Sequence, residues 1–194
     1  MKYLGRKIYH ILGGMALLSL YFVFNRSTIF AVYGVLLLVV LLVEIVRLRF
    51  PVWNNYIYAH LGGVIRASEE QKMTGTVPYI LGVGLSLYAY PTPVAAAAIC
   101  FLAFGDVAAT TIGERYGKTK IGGKSLEGTA AFIVASLLVG LLLPIVGLKL
   151  ASWVIVLGAV TAACIELLPL SLNDNLIIPI ISGAVMAFAN TWAN

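Results

Sequence analysis

A loop rich in glycine, lysine and hydroxyl residues, at positions 117–128, is the segment whose composition points most directly to chemistry. Backbone amides of glycine, the start of a helix and mobile ammonium groups together stabilise phosphate, which makes phosphate binding one function for it. The loop is not a Walker A motif, because only three residues separate Gly113 from Gly117-Lys118-Thr119, where four are needed. An ordinary charged loop is the alternative, and both interpretations are open at this point.

Three carboxylates lie in or beside apolar runs. Asp106 and Glu44 stand within such runs, and Glu166 stands near the end of another. A charged side chain in a membrane-length apolar run costs roughly 2.5–3.5 kcal/mol at the helix centre, so these carboxylates need partners or a wet cavity. Helix packing through small residues accounts for Gly105, Ala109 and Gly113 but leaves the aspartate unexplained. If the helix continues far enough, one face carries Asp106, Thr110, Gly113 and Gly117.

Two smaller clusters accompany these residues. Arg6 and His10 share a helical face, which brings a cation and a titratable imidazole together. Glu166 is followed by Asp174-Asn175, so that two carboxylates and an amide flank a tight turn. Taken separately, Asp174-Asn175 is typical of a helix cap and His10 of an interfacial histidine. What favours a joint site is the convergence on one side of Asp106, Lys124, Glu127, Glu166 and Asp174.

The elements that must position these residues are membrane helices. The chain has 194 residues, of which 61% are hydrophobic and 11% charged, whereas a globular domain carries roughly 25% charged residues. Continuous apolar runs predict helices and exclude a barrel, whose strands would alternate. We expect an all-α integral membrane protein in which residues 1–194 form a single transmembrane catalytic domain. About seven spans are predicted, at 8–24, 28–46, 76–90, 93–113, 127–147, 150–168 and 175–192.

The distribution of lysine and arginine predicts the orientation. With the N-terminus inside, only Arg26 and Lys149 fall on the outer side, and every acidic residue falls on the inner side or the inner part of a span. The net charge of +5 then faces anionic lipid head groups or an anionic substrate. Positive-inside bias with side chains that reach the interface is the expected explanation for Lys2, Arg47, Arg49 and Lys72.

At these residues the chain resembles the CTP-dependent polyprenol kinase family, which includes dolichol kinase, phytol kinase, farnesol kinase and the CTP-dependent diacylglycerol kinase of yeast. The matching pieces run in the family's order from residue 6 to residue 179. They are residues 6–10, Thr74-Gly75, residues 105–109 with Gly113 and Gly117-Lys118, residues 124–129, and Glu166 with residues 174–176 and Pro179. Thr129 departs from the serine that is common in the family.

The resemblance implies transfer of the γ-phosphate of a nucleotide, typically CTP, to the hydroxyl of an isoprenoid alcohol or a diacylglycerol-like lipid, with Mg²⁺ as cofactor. Asp106 and Asp174 are then the expected metal ligands, with Glu127 or Glu166 completing the metal site or acting as base. The triphosphate would be held by Lys118, Lys120, Lys124, Ser125 and the backbone at Gly105, Gly113, Gly117, Gly122 and Gly123. Arg6, Lys7 and His10 are expected to contact phosphate or to orient the acceptor, and Asn175 to hold metal or nucleotide.

Two other functions stay open from sequence. A cytidylyltransferase would use the same nucleotide and metal but attack the α-phosphate. A lipid transporter would be expected to carry ionisable groups near the midplane, whereas here the charges collect at one interface. The expected partners are a nucleoside triphosphate, a lipid alcohol and membrane lipids, without nucleic acid, and an oligomer is possible. The expected location is a prokaryotic cell membrane, with the site on the cytoplasmic side.

Overall fold

The computed structural model describes residues 4–65, 69–170 and 172–193. Every predicted apolar span is helical, which confirms an all-α architecture. The helices are α1 (Leu4–Val23), α2 (Arg26–Arg49), α3 (Pro51–Leu61), α4 (Thr76–Ala89), α5 (Thr92–Cys100), α6 (Asp106–Tyr116), α7 (Leu126–Leu142), α8 (Ser152–Leu167) and α9 (Asp174–Asn190). A π-helical stretch, Phe101–Gly105, joins α5 to α6, and a 3₁₀ turn, Leu143–Val146, extends α7.

Three helical segments of the described chain are long and apolar enough to cross a bilayer: Arg26–Arg49, Thr92–Tyr116 and Leu126–Val146. The shorter apolar helices α4, α8 and α9 have 14, 16 and 17 residues. A helix needs roughly 20 residues to span the hydrocarbon, although the range begins near 17. Seven crossings and an inside N-terminus therefore stay predictions.

The glycine-rich loop contains a small β-hairpin that the sequence analysis did not predict. Strand β1 (Lys120–Ile121) pairs antiparallel with β2 (Lys124–Ser125), with Ile121 opposite Lys124. Gly122 and Gly123 form the two-residue turn with φ values of 54° and 91°. Two consecutive positive φ angles favour glycine, because a Cβ is strained there. The turn thus gives these glycines a structural role.

The described chain divides into two compact units, residues 1–81 and 82–194, with the division inside α4. In the first unit, Arg47 at the end of α2 is 1% exposed, so the expectation that it extends to the interface is wrong. Its guanidinium donates to Glu44 Oε2 at 2.9 Å, Asn54 Oδ1 at 2.9 Å and the Lys72 carbonyl at 2.6 Å. Burial is tolerated because these acceptors replace water. Arg49 and Lys72 are exposed, and Lys2 lies outside the described residues.

The second unit has a core built around α5. Residues 94–103 of α5 and the π-helical stretch are buried, along with Phe132, Ile155, Ile178 and Met186. Helix α7 packs against α6 and α8, and α9 packs against α8 and α5. This arrangement brings the end of α8, the start of α9 and the hairpin between α6 and α7 together, and these three places carry the predicted site residues Glu166, Asp174 and Lys124.

Candidate functional site

The hairpin is fixed to the start of α7 by side-chain caps. Ser125 is the N-cap residue of α7, and its Oγ accepts a hydrogen bond from the Gly128 amide at 3.1 Å. Glu127 lies in the first turn and accepts the Thr119 amide through Oε1 at 3.1 Å. Both contacts satisfy backbone donors of the loop and of the helix start. In this structure Glu127, which was predicted to be a metal ligand or base, holds the loop before the hairpin through this hydrogen bond.

Lys124, on the second strand of the hairpin, joins two helices. Its Nζ lies 2.8 Å from Asp174 Oδ2 and 3.6 Å from Glu166 Oε1. The same ammonium also donates to the backbone carbonyl of Glu166 in the last turn of α8. One cation thus binds the C-terminal end of α8, where carbonyls are unsatisfied, and the first residue of α9.

Glu166 is the most enclosed carboxylate of this group, with 4% of the residue exposed. Among the described residues, its Oε2 is one of the buried side-chain atoms that have no hydrogen-bond partner. Its electrostatic neighbours are one cation, Lys124, and two anions, Asp106 and Asp174. A buried carboxylate oxygen with this surrounding charge is suited to bind a cation or a proton.

Asp106 occupies the first position of α6, directly after the π-helical stretch. π-Helical insertions are rare and frequently occur at functional sites. The side chain of Asp106 is partly exposed, and its carboxylate interacts electrostatically with that of Glu166. The structure therefore places Glu166 and Asp174 against Lys124, and Asp106 within electrostatic range of Glu166.

Gly113 in α6, and Gly105 and Gly117 on either side of it, are accounted for by close packing on Ser125 and α7. A Cβ at Gly113 would lie 2.9 Å from Ser125 Oγ, and one at Gly117 would lie 2.6 Å from the same atom. A Cβ at Gly105 would lie 2.6 Å from the Phe132 ring. Small residues at these places let the two helices approach, which was the packing alternative. The helix ends at Tyr116, so Gly117 caps α6 and does not extend its polar face.

The remaining predicted residues of the second unit surround the hairpin in different ways. Lys118 is exposed, and Lys120 donates from Nζ to the Gly113 carbonyl at 3.2 Å. Asn175 is 8% exposed. Its backbone amide donates to Asn173 Oδ1 at 3.0 Å, which makes Asn173 the N-cap of α9. Asp174 is therefore the first helical residue, and its carboxylate is available for the Lys124 contact.

No group of three or more His, Cys, Asp or Glu side chains within residues 4–65, 69–170 and 172–193 could hold a metal ion. Magnesium, however, is commonly bound by one or two carboxylates together with waters and substrate phosphates, not by a cage of protein ligands. One or two of the carboxylates Asp106, Asp174 and Glu166 would fit that chemistry, and the buried Oε2 of Glu166 is consistent with it.

The predicted residues of α1 lie in the first unit. Arg6 Nη1 lies 2.7 Å from Glu69 Oε2, and Lys7 and His10 are 9% and 7% exposed. The His10 ring packs at a tilt of 49° against the Tyr79 ring, with centroids 4.5 Å apart, and the Tyr79 hydroxyl donates to the His10 carbonyl at 2.7 Å. Sequence reasoning missed Glu69 as the partner of Arg6, because 63 residues separate them and no local spacing signals the pair.

Curated proteins to which the chain is similar include some that are named as lipid kinases. It is 25% identical to CTP-dependent diacylglycerol kinase 1 of Schizosaccharomyces pombe over 74% of this chain and 72% of that protein. It is 32% identical to CTP-dependent diacylglycerol kinase 1 of Saccharomyces cerevisiae over 66% of this chain, which spans 46% of that protein. It is 32% identical to Probable phytol kinase 3, chloroplastic, of Glycine max over 58% of this chain and 40% of that protein.

No family model matches the chain. No solved structure matches it. The relatives nevertheless confirm the resemblance seen in the sequence: the chain is similar to two CTP-dependent diacylglycerol kinases and to a probable phytol kinase. The chain spans less than half the length of the budding-yeast and soybean proteins.

Proposed function

We propose that the protein is a membrane lipid kinase that transfers the γ-phosphate of CTP to the hydroxyl of an isoprenoid alcohol or a diacylglycerol-like lipid. The observation that carries this proposal is that Lys124, which lies on a hairpin suited to phosphate, contacts both Glu166 and Asp174. Asp106 lies within electrostatic range of Glu166. The names of the relatives supply the nucleotide and the two acceptor classes.

The hairpin is the nucleotide-holding element in this proposal. Lys118, Lys120 and Lys124 carry mobile ammonium groups that neutralise phosphate, and the Gly122-Gly123 turn lets the backbone approach it closely. The start of α7 adds the positive end of a helix dipole beside the same loop. The glycines thus serve the turn and also leave the loop free of side chains that would obstruct a triphosphate.

The oxygen donors for Mg²⁺ are Asp106 and Asp174, with Glu166 as the third nearby carboxylate. Bound there with the nucleotide, Mg²⁺ would neutralise charge that develops on the phosphates. Glu127 is assigned to the hairpin instead, because both of its carboxylate oxygens accept from the Thr119 amide. The acidic residues proposed to act on substrate are therefore Asp106, Glu166 and Asp174.

Glu166 is the residue best suited to take the proton of the acceptor hydroxyl. Its Oε2 is buried and without a partner among the described residues. The hydroxyl oxygen forms a bond to the γ-phosphorus while the bond from that phosphorus to the β–γ bridging oxygen breaks, and CDP leaves. The proton of the hydroxyl goes to Glu166, and Lys124 faces the region where charge develops.

The test is an assay of purified protein in lipid or detergent with Mg²⁺ and CTP labelled at either the α- or the γ-phosphorus. The acceptor panel contains diacylglycerol, phytol, farnesol and a long polyprenol. Transfer of γ label into one lipid supports the kinase and identifies its acceptor class. Incorporation of α label would make the protein a cytidylyltransferase, and neither label in lipid, with folded protein, would overturn an enzymatic role on these substrates.

The site itself is tested by Asp106→Asn and Lys124→Ala in the same assay. Both variants should lower γ transfer by on the order of 100-fold, since each removes a charge that acts on the transferring phosphate. Normal activity of both variants in folded protein would show that the reaction occurs elsewhere in the chain.

A further inference from the structure

Lys124 contacts the acidic residues in this structure, although the proposed reaction needs it at the phosphates. Its ammonium lies 2.8 Å from Asp174 and 3.6 Å from Glu166, and it also donates to the Glu166 carbonyl. This ammonium lies beside Asp174, which is assigned to the metal, and beside Glu166, so it competes with a metal ion for the same negative charge. The two roles of Lys124 therefore belong to different stages of the cycle.

We propose that Lys124 is an exchangeable counter-ion: it neutralises Glu166 and Asp174 before nucleotide binds and moves to the phosphates when the metal–nucleotide complex enters. This inference rests on the proposed function, because it assigns an order of events at that same site. The inference gives Lys124 a second role besides phosphate binding, because Lys124 competes with the metal ion when the nucleotide is absent.

The exposures of the three side chains favour such an exchange. The side chains of Lys124 and Asp174 are 28% and 30% exposed, whereas that of Glu166 is 6% exposed. Glu166 is therefore enclosed, and Lys124 has access to solvent through a flexible four-carbon stem. The lysine also lies directly after the Gly122-Gly123 turn, whose two residues carry no side chain.

The electrostatics require a replacement cation when the lysine leaves. Glu166 interacts with one cation, Lys124, and with two anions, Asp106 and Asp174, and its Oε2 is buried without a hydrogen-bond partner among the described residues. Withdrawal of the ammonium without a substitute would leave an enclosed carboxylate beside other carboxylates, which is strongly unfavourable. A divalent cation delivered with the nucleotide supplies the substitute, so the two movements are coupled.

The coupling predicts opposite effects of one substitution on two binding reactions. Lys124→Met removes the competitor, so Mn²⁺ without nucleotide should bind more tightly, by on the order of tenfold for one elementary charge at this range. The same variant should bind CTP more weakly in the presence of metal, because a phosphate contact is lost. A lysine that only contacts phosphate, or that only joins the helices, gives no gain in affinity for metal alone.

The experiment measures free Mn²⁺ by electron paramagnetic resonance during titration of the purified full chain without nucleotide. Lys120→Met is the matched control, because Lys120 lies on the same hairpin but donates to the neutral Gly113 carbonyl, so its removal should leave the Mn²⁺ affinity unchanged. Asp174→Asn should weaken Mn²⁺ binding by at least about tenfold, which would locate the ion at this site.

Equal or weaker Mn²⁺ binding by folded Lys124→Met would overturn the exchange. If that variant does not fold, the wild-type chain provides the measurement: Mn²⁺ alone should increase the acylation of Lys124 by an amine reagent, located by mass spectrometry, and an unchanged extent would contradict the proposal. Failure of the proposed function is separate, because it appears as absence of γ transfer by wild type whatever the Mn²⁺ affinities are.

Discussion

The ammonium group of Lys124 lies 2.8 Å from Oδ2 of Asp174, although 50 residues separate the two in sequence. The lysine comes from the hairpin between α6 and α7, and the aspartate is the first residue of α9. A charge pair of this kind positions a loop relative to a helix start more than it stabilises the fold, because both side chains retain contact with solvent. Its disruption should therefore appear mainly in activity.

Asp174→Asn is expected to lower kcat for γ transfer by roughly 100-fold, because it removes a carboxylate that would hold the metal and position Lys124. Asn173→Ala is the matched control one residue earlier. It removes the acceptor for the Asn175 amide and costs about 1 kcal/mol of helix capping, while it keeps the carboxylate. Steady-state assays of both variants, with folding checked by size exclusion, should separate charge from capping. Equal losses in the two variants would assign Asp174 to the helix start alone.

Arg47→Met is expected to lower the free energy of unfolding by about 3–5 kcal/mol, because it leaves the buried carboxylate of Glu44 without its cation. Glu44 is 5% exposed, and it also accepts from the Thr74 amide at 3.0 Å and hydroxyl at 2.8 Å. Arg49 is two residues further along and exposed. Arg49→Met should therefore change the free energy of unfolding by under about 0.5 kcal/mol. Unfolding in mixed sodium dodecyl sulfate micelles measures both.

The double variant Glu44→Leu with Arg47→Met provides the internal check on that prediction. Replacement of both charges removes the unpaired carboxylate, so the double variant should be more stable than Arg47→Met alone. A double variant that is less stable than the single variant would show that hydrogen bonds of Glu44 to Thr74 dominate, not the ion pair.

The helices could be predicted from sequence because long apolar runs allow few alternatives in a membrane. The run at 93–113 illustrates the limit: its helical character was evident, but the π-helical stretch at Phe101–Gly105 arises where Gly105 packs on the Phe132 ring, and that contact is non-local. The hairpin was missed because two-residue strands carry no periodicity. Its turn residues, Gly122 and Gly123, were instead interpreted through phosphate binding.

The acidic residues of the site could be named because a carboxylate near an apolar run requires an explanation. Their grouping around Lys124 could not be derived from spacing, since it depends on how α8 and α9 meet the hairpin. The burial of Arg47 was missed for a similar reason. Its acceptors, Asn54 and the Lys72 carbonyl, come from α3 and the segment after it, and only the fold brings them to the end of α2.

Gly123→Ala is expected to destabilise the hairpin by roughly 1–2 kcal/mol, because its φ of 91° is strained for a residue with a Cβ. The added methyl has no heavy atom within 4 Å, so the effect is conformational and not steric. Gly123→Asn should be better tolerated, since asparagine adopts left-handed conformations more readily. The readout is the KM for CTP, which should rise more for alanine than for asparagine.

Gly34→Ala is the control for Gly123→Ala. Gly34 lies inside α2, and a Cβ added there has no heavy atom within 4 Å. The substitution should stabilise the protein by up to about 1 kcal/mol through helix propensity, and the KM for CTP should not change. A rise in KM for Gly34→Ala as large as that for Gly123→Ala would show that the effect on KM is not specific to the hairpin turn.

Lys118→Cys and Lys149→Cys are expected to react with a membrane-impermeant thiol reagent from opposite sides of the membrane. Both lysines are exposed, and they flank the segment Leu126–Val146, which is long and apolar enough to cross once. Cys164 is exposed and is replaced by serine in both variants, whereas Cys100 is buried and can stay. The excess of lysine and arginine on the Lys118 side predicts that this side faces the cytoplasm.

Labelling of both variants from one side would mean that residues 126–146 do not cross. Labelling of Lys149→Cys from the cytoplasm alone, with Lys118→Cys labelled from outside, would invert the orientation and place the hairpin away from cytoplasmic CTP.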